Sequence, residues 1–108
     1  MKRKLMAQKN SAKVEVYSSM WCGFCHRAKA LLNAKEVTFT EYDVDGDPAG
    51  RRQMMERGGG RTVPQIFVDG SPIGGCDELY ALEQEGRLEP MLGLNGAGDG
   101  ESRGADND

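Results

Sequence analysis

Along residues 13–18, Val14, Val16 and Ser18 alternate with Glu15 and Tyr17. That period of two, carried by β-branched residues, predicts a first strand. The period then changes. Cys25, Ala28, Leu31 and Leu32 fall at helical spacing with Arg27, Lys29 and Asn33 opposite, so an amphipathic helix starts at or near Gly23. Residues 37–44 contain Val, Thr, Phe and Tyr and read as a second strand. Asp47-Pro48 suits a helix start, since Asp caps and Pro fits the first helical position. That second helix runs to about Arg57, where Gly58-Gly59-Gly60 ends it. Gln65–Val68 is a third strand, and an Asp69-Gly70 turn leads into a short fourth, Ser71–Gly74. Pro72 lacks the N–H that an inner strand must donate, which puts the fourth strand at an edge. Helical spacing returns from Cys76 through Leu79, Tyr80 and Leu82 to near Gly86, and Leu88, Met91 and Leu92 add a further turn.

A strand-helix-strand start implies a right-handed crossover and a parallel first pair. The whole order predicts an α/β fold with a four-stranded mixed sheet flanked by helices on both faces. Composition limits where this unit lies. The chain has 108 residues, room for one domain. Residues 93–108 are Gly-rich, acidic and nearly devoid of apolar side chains, so a disordered tail is expected there. Residues 1–12 carry Lys2, Arg3, Lys4 and Lys9 without a core pattern and read as a basic flexible leader. No apolar stretch follows that would make the leader a secretory signal. No run approaches the length of a membrane span. The net charge of −3 argues against nucleic acid as the main partner. Three cysteines, an odd number, favour a reducing compartment, and the expected location is cytoplasmic.

Two of the cysteines lie in Trp21-Cys22-Gly23-Phe24-Cys25-His26, at the turn from the first strand into the first helix. Cys-x-x-Cys in that setting suggests a thioredoxin-like redox site. Sulfur attacks as the thiolate, and the outward N–H groups of a helix N-terminus favour the anion. Cys22 stands there and is the expected nucleophile. Cys25, a turn further in, is the expected resolving thiol, and the two-residue gap lets the pair close a disulfide. Trp21 is either an aromatic shelf beside the thiol or a packing residue.

Two further stretches carry chemistry. Thr62-Val63-Pro64 is either an ordinary strand start or, in a thioredoxin-like fold, a cis-proline loop that faces the thiol and pairs with an extended peptide. Gly74-Gly75-Cys76-Asp77 opens the last helix, whose N-terminus can bind a carboxylate; an ordinary turn capped near Asp77 is the alternative. Cys76 can equally be a small apolar residue.

Together, in order and spacing, these three pieces resemble the glutaredoxin family over residues 13–92. The stretches His26-Arg27-Ala28-Lys29-Ala30-Leu31-Leu32 and Val63-Pro64-Gln65-Ile66-Phe67 are most similar to small bacterial dithiol members. The resemblance implies a thioredoxin-like fold and a glutathione-dependent thiol–disulfide oxidoreductase. Cys22 would attack protein–glutathione mixed disulfides and protein disulfides, and Cys25 would resolve the latter. The implied glutathione site comprises Phe24, Arg51, Thr62, Val63, Pro64, Gly75, Cys76 and Asp77. In it Val63 would pair with the cysteinyl backbone, Cys76 and Asp77 would hold the γ-glutamyl end, and Arg51 the glycine carboxylate, with Arg52 and Arg61 as competitors for that last role. The partners implied are glutathione and glutathionylated or disulfide-containing proteins, with no membrane or nucleic acid, for a monomer.

Two departures matter. Gly23 and Phe24 replace the family's common Pro-Tyr, and Ser19 stands where a lysine is common. Cys-Gly-Phe also resembles the start of the monothiol motif, and similar Trp-Cys-Gly-aromatic-Cys members bind iron and sulfur. The alternative is therefore a dimer bridging one [2Fe–2S] cluster through Cys22 and glutathione.

Other readings explain less. Cys22-x-x-Cys25-His26 matches a c-type haem attachment pattern but leaves the two later stretches without a role. A zinc set of Cys22, Cys25, His26 and Cys76 meets the difficulty that adjacent Cys25 and His26 point apart on a helix. Asp43, Asp45 and Asp47 start like a calcium loop, yet Pro48 occupies the place of its required glycine. Thioredoxin shares Trp-Cys-Gly but has proline where Phe24 stands.

Overall fold

A computed structural model of the chain describes residues 10–94. The elements in order are β1 (Val14–Ser18), α1 (Gly23–Ala34), β2 (Thr40–Asp43), α2 (Pro48–Glu56), β3 (Gln65–Val68), β4 (Ser71–Gly74), α3 (Cys76–Gln84) and α4 (Leu88–Leu92). The sheet order is β2-β1-β3-β4. β1 runs parallel to β2 with Tyr17 opposite Tyr42, and antiparallel to β3 with Val16 opposite Ile66. β3 and β4 form the expected hairpin, with Asp69 and Gly70 at φ 51° and 82°. β4 is an edge strand, where the missing N–H of Pro72 costs no ladder bond.

All five residues of β1 are buried, because both faces of the sheet are covered. On one face Val14, Val16, Ile66 and Val68 pack under Ala28 and Leu32 of α1, Leu79 of α3, and Leu88 and Leu92 of α4. On the other, Tyr17 and Phe67 pack with Val44 and with Met54, the buried residue of α2. Arg57 completes this second layer. Its guanidinium lies 4.3 Å from the Phe67 ring centroid and pairs with Glu15 of β1 at 2.7 Å. The hydrogen bond from Arg57 holds the Glu15 carboxyl below its ordinary value, against the opposing effect of burial.

Local signals behave as their chemistry requires. Asp47 caps α2, accepting from the Gly50 N–H at 3.0 Å, with Pro48 at the first position. β2 is shorter than the 37–44 expected. Val37 instead closes α1, its N–H donating to the Leu32 carbonyl at 2.9 Å after Glu36 enters the left-handed region.

The packed unit also reaches slightly beyond residues 13–92. Asn10, Ala12 and Leu94 are buried, and Asn10 bridges Leu94. The Ser11 and Ala12 N–H groups donate to the Gly93 and Leu92 carbonyls at 2.9 and 3.1 Å. The remainder of the expected leader and tail lies outside the described residues. Among the described residues no helix is long and apolar enough to cross a membrane.

Candidate active site

The chain enters the site where β1 ends. Cys22 is itself the N-cap of α1, in extended conformation, and its Sγ accepts the Cys25 N–H at 3.3 Å. A thiol thus occupies the place where serine or aspartate commonly caps, and helix formation aims a backbone donor at the sulfur. The Cys22 thiol lies 3.6 Å from the Val63 carbonyl oxygen across the opening. Cys22 is partly exposed, whereas Cys25 is fully buried. Burial pushes the Cys25 thiol up to about 12, opposed by the Ser19 N–H that donates to its sulfur at 3.4 Å. Neither cysteine is bridged.

The Val63–Pro64 peptide is cis, as the redox reading of the sequence expected. It leads directly into β3, which pairs with β1, so the loop is fixed against the strand that delivers Cys22. Opposite it, Gly74 and Gly75 bring the start of α3 close to the same loop. A Cβ on Gly75 would stand 3.0 Å from the Pro64 carbonyl oxygen, and Gly74 sits at φ 111°. The Glu78 carboxylate accepts the Gly75 N–H at 2.8 Å. Cys76 is buried beneath this turn, and desolvation raises its thiol above the usual value.

Between the three pieces lies a cleft of about 320 Å³, lined by Phe24, Thr62, Val63, Pro64, Gln65, Gly74, Gly75, Cys76, Asp77 and Glu78. That volume suits a small ligand. The sequence-predicted residues Phe24, Thr62, Val63, Pro64, Gly75, Cys76 and Asp77 therefore share one site, and the Cys22 thiol lies 3.6 Å from the carbonyl oxygen of one of them, Val63. Arg51, on α2, is not among the lining residues. Gly74, part of the glycine pair that the sequence singled out, also lines the cleft, whereas sequence reasoning gave no role to Gln65 and Glu78. That reasoning also missed Asp45, which holds the approach to Cys22 by accepting the Ser19 hydroxyl at 2.7 Å and the Met20 N–H at 3.0 Å. Trp21 is 85% exposed and Phe24 is 56% exposed, so the packing alternative for Trp21 does not hold. The arrangement equips one accessible sulfur to attack a disulfide and one buried sulfur to follow it.

The Glutaredoxin family model matches residues 14–73, more than half of the chain. The chain belongs to the glutaredoxin family. It is similar to Glutaredoxin 3 of Escherichia coli, at 54% identity over 81 residues that span 75% of this chain and 98% of that protein. Among solved structures, the buckwheat glutaredoxin–glutathione complex superposes with a TM-score of 0.68 at 32% identity, covering 83% of this chain and 84% of that one. The solution structure of Brucella melitensis glutaredoxin gives a TM-score of 0.67 at 46% identity, covering 79% and 91%. The glutaredoxin has the thioredoxin-like fold, and family and fold together make it a thiol–disulfide oxidoreductase.

Proposed function

We propose that this glutaredoxin uses glutathione to reduce protein–glutathione mixed disulfides and protein disulfides. The observation that carries the reading is the cleft that runs from Val63, whose carbonyl oxygen lies 3.6 Å from the Cys22 sulfur, to the first turn of α3. A small thiol peptide lying there would set its sulfur against Cys22, its backbone against Val63, and its anionic end against the N–H groups opening α3. Phe24, Thr62, Pro64, Gly75, Cys76 and Asp77 line that path. Arg51 is assigned to the glycine carboxylate by the family resemblance alone. The relative solved as a glutathione complex supports the choice of ligand. A reducing cytoplasm suits a chain with three unbridged cysteines.

The chemistry follows from the two sulfurs. The Cys22 thiolate attacks the glutathione sulfur of a mixed disulfide, and the protein leaves as a thiolate that takes up a proton. A second glutathione thiolate attacks the bound glutathione sulfur, which frees Cys22 and yields glutathione disulfide. With a protein disulfide, Cys22 and the substrate form the mixed disulfide. Cys25 loses its proton and attacks the Cys22 sulfur, which forms the Cys22–Cys25 bond and releases the substrate's second thiol. Two glutathione molecules then reduce that bond.

Paired variants test the assignment. Cys22→Ser is expected to abolish all glutathione-linked turnover. Cys25→Ser is expected to keep deglutathionylation and lose protein-disulfide reduction. An active Cys22→Ser beside an inactive Cys25→Ser would reverse the roles.

The cluster-bridging dimer keeps one supporting observation. Cys22 is the accessible sulfur and Cys25 is enclosed, so each chain would offer a shared [2Fe–2S] cluster one protein thiolate, with glutathione as the second ligand. Protein purified without oxygen and supplied with glutathione would then carry iron and inorganic sulfide in equal amounts and elute as a dimer. Colourless monomer under those conditions would remove this reading.

A further inference from the structure

Ser19 is buried, though it lies in a loop, and its peptide groups touch both redox cysteines. Its N–H donates to the Cys25 sulfur at 3.4 Å, and its carbonyl accepts the Cys22 N–H at 3.3 Å. Its side chain is held as tightly. The hydroxyl donates to Asp45 Oδ1 at 2.7 Å and accepts the Trp21 N–H at 3.2 Å. Asp45 lies between β2 and α2, far from the cysteines in sequence, and its other oxygen accepts the Met20 N–H at 3.0 Å. Asp45 is itself braced, its N–H donating to Asp43 Oδ1 at 2.8 Å. One carboxylate thus fixes the three-residue approach to Cys22 through the Met20 N–H and the Ser19 hydroxyl, which in turn holds the Trp21 N–H.

We propose that Asp45 and Ser19 form a clamp that positions the Ser19 N–H against the Cys25 sulfur and so sets the rate at which Cys25 closes the disulfide. The proposal rests on the dithiol chemistry above and adds two positioning residues to it. The physical reason is the burial of Cys25. Its thiolate must form in a site closed to water, and a fixed backbone donor stabilises that charge where solvent cannot. The other ionisable groups acting on Cys25 are Cys22 and Lys29. In the closing step the Cys25 proton is lost, the Cys25–Cys22 bond forms, and the thiolate held on Cys22 leaves. A donor that drifts by even a fraction of an ångström in the reduced protein would raise the cost of that first loss. Formation of the adduct on Cys22 uses other donors and is expected to depend on the clamp less.

The test uses the full chain, reduced and mixed with glutathione disulfide. Quenched samples are weighed by mass spectrometry, which separates gain of the glutathione adduct from its loss on closure. Ser19→Ala and Asp45→Ala are each expected to slow closure about tenfold, the scale of one lost hydrogen bond. Asp45→Asn offers one acceptor oxygen to two donors, the Ser19 hydroxyl and the Met20 N–H, and is expected to slow closure by less than Asp45→Ala does. The Ser19→Ala/Asp45→Ala double variant is expected to be no slower than the slower single variant, as for two parts of one device. In a Cys22→Ser background, alkylation of Cys25 is expected to need higher pH once Asp45 is Ala. Thermal melts identify any variant that does not fold, and Ser19→Ala, which removes a single atom, remains as the second probe. Unchanged closure, or adduct gain and closure slowed by the same factor, would overturn the clamp. Closure slowed by Asp45→Ala but unchanged by Ser19→Ala would overturn it too, since the carboxylate would then act without the Ser19 link. If the wild-type chain itself formed no adduct, the glutathione reading would fail instead.

Discussion

Cys25 divides the two sulfurs by environment. It is fully buried and its thiol is pushed up to about 12 by desolvation, whereas Cys22 caps a helix at the edge of a cleft. A group with so high a value is protonated through neutral pH, so the fraction able to attack grows as pH rises. In the Cys22→Ser variant, alkylation of Cys25 by iodoacetamide is expected to be slow at neutral pH and to climb without a plateau into the alkaline range. A plateau near neutrality would contradict the burial argument. Ser19 shows what a single sequence conceals. In the chain it appears only as a serine where a cation is common. In the structure it is buried and bonded to Asp45 and to Cys25, so a lysine side chain has no room to replace it without displacing those contacts. Gly75 is the converse case, since the glycine pair was legible as a close approach and the structure supplies the partner, the Pro64 carbonyl. Gly75→Ala is expected to raise the KM for glutathione severalfold, by pushing α3 from the cis-proline loop, with little change in the exchange chemistry.

At the scale of elements, the second face of the sheet rests on a polar group. Arg57 stacks on Phe67, pairs with Glu15 and donates to the Tyr17 hydroxyl at 2.9 Å. Glu15→Gln is expected to cost about 2 kcal/mol in a denaturant melt, less than a fully buried pair because Arg57 is partly solvated. The pH dependence has a fixed sign. Folding holds the Glu15 carboxyl below 4.5, so its contribution is complete above that value and is lost as pH falls through the folded value. The variant's deficit is therefore expected to shrink in acid. The segment joining residues 10–12 to residues 92–94 is a second case. Asn10 donates to the Thr38 carbonyl at 3.1 Å and accepts the Thr38 N–H at 2.8 Å. Asn10→Ala is expected to destabilise by about 1–2 kcal/mol. Nothing in the sequence marked this segment, because a polar residue in a basic stretch reads as solvated until its partners are known. β1 posed a related difficulty. Its alternation was visible, but Glu15 falls on a buried face only because an arginine forty-two residues away in sequence covers it.

For the whole molecule, element order, strand polarity and the edge position of β4 were legible because period, turn chemistry and proline placement are local signals. The assembly of the cleft was legible through three short stretches whose spacing matches a family. What joins them physically, the β1–β3 register and the identity of the loop that the glycine pair of α3 approaches, is long-range and carries no sequence signal of its own. The same long-range geometry sets the partly exposed Cys22 thiol 3.6 Å from the Val63 carbonyl that borders the cleft, which is why the choice of reductant is the central claim. That claim is tested most directly by reducing a protein–glutathione mixed disulfide with either glutathione and its reductase or thioredoxin reductase as the electron source. Turnover with glutathione and none with thioredoxin reductase is the expected result. Efficient turnover with thioredoxin reductase and none with glutathione would contradict the assignment of the cleft.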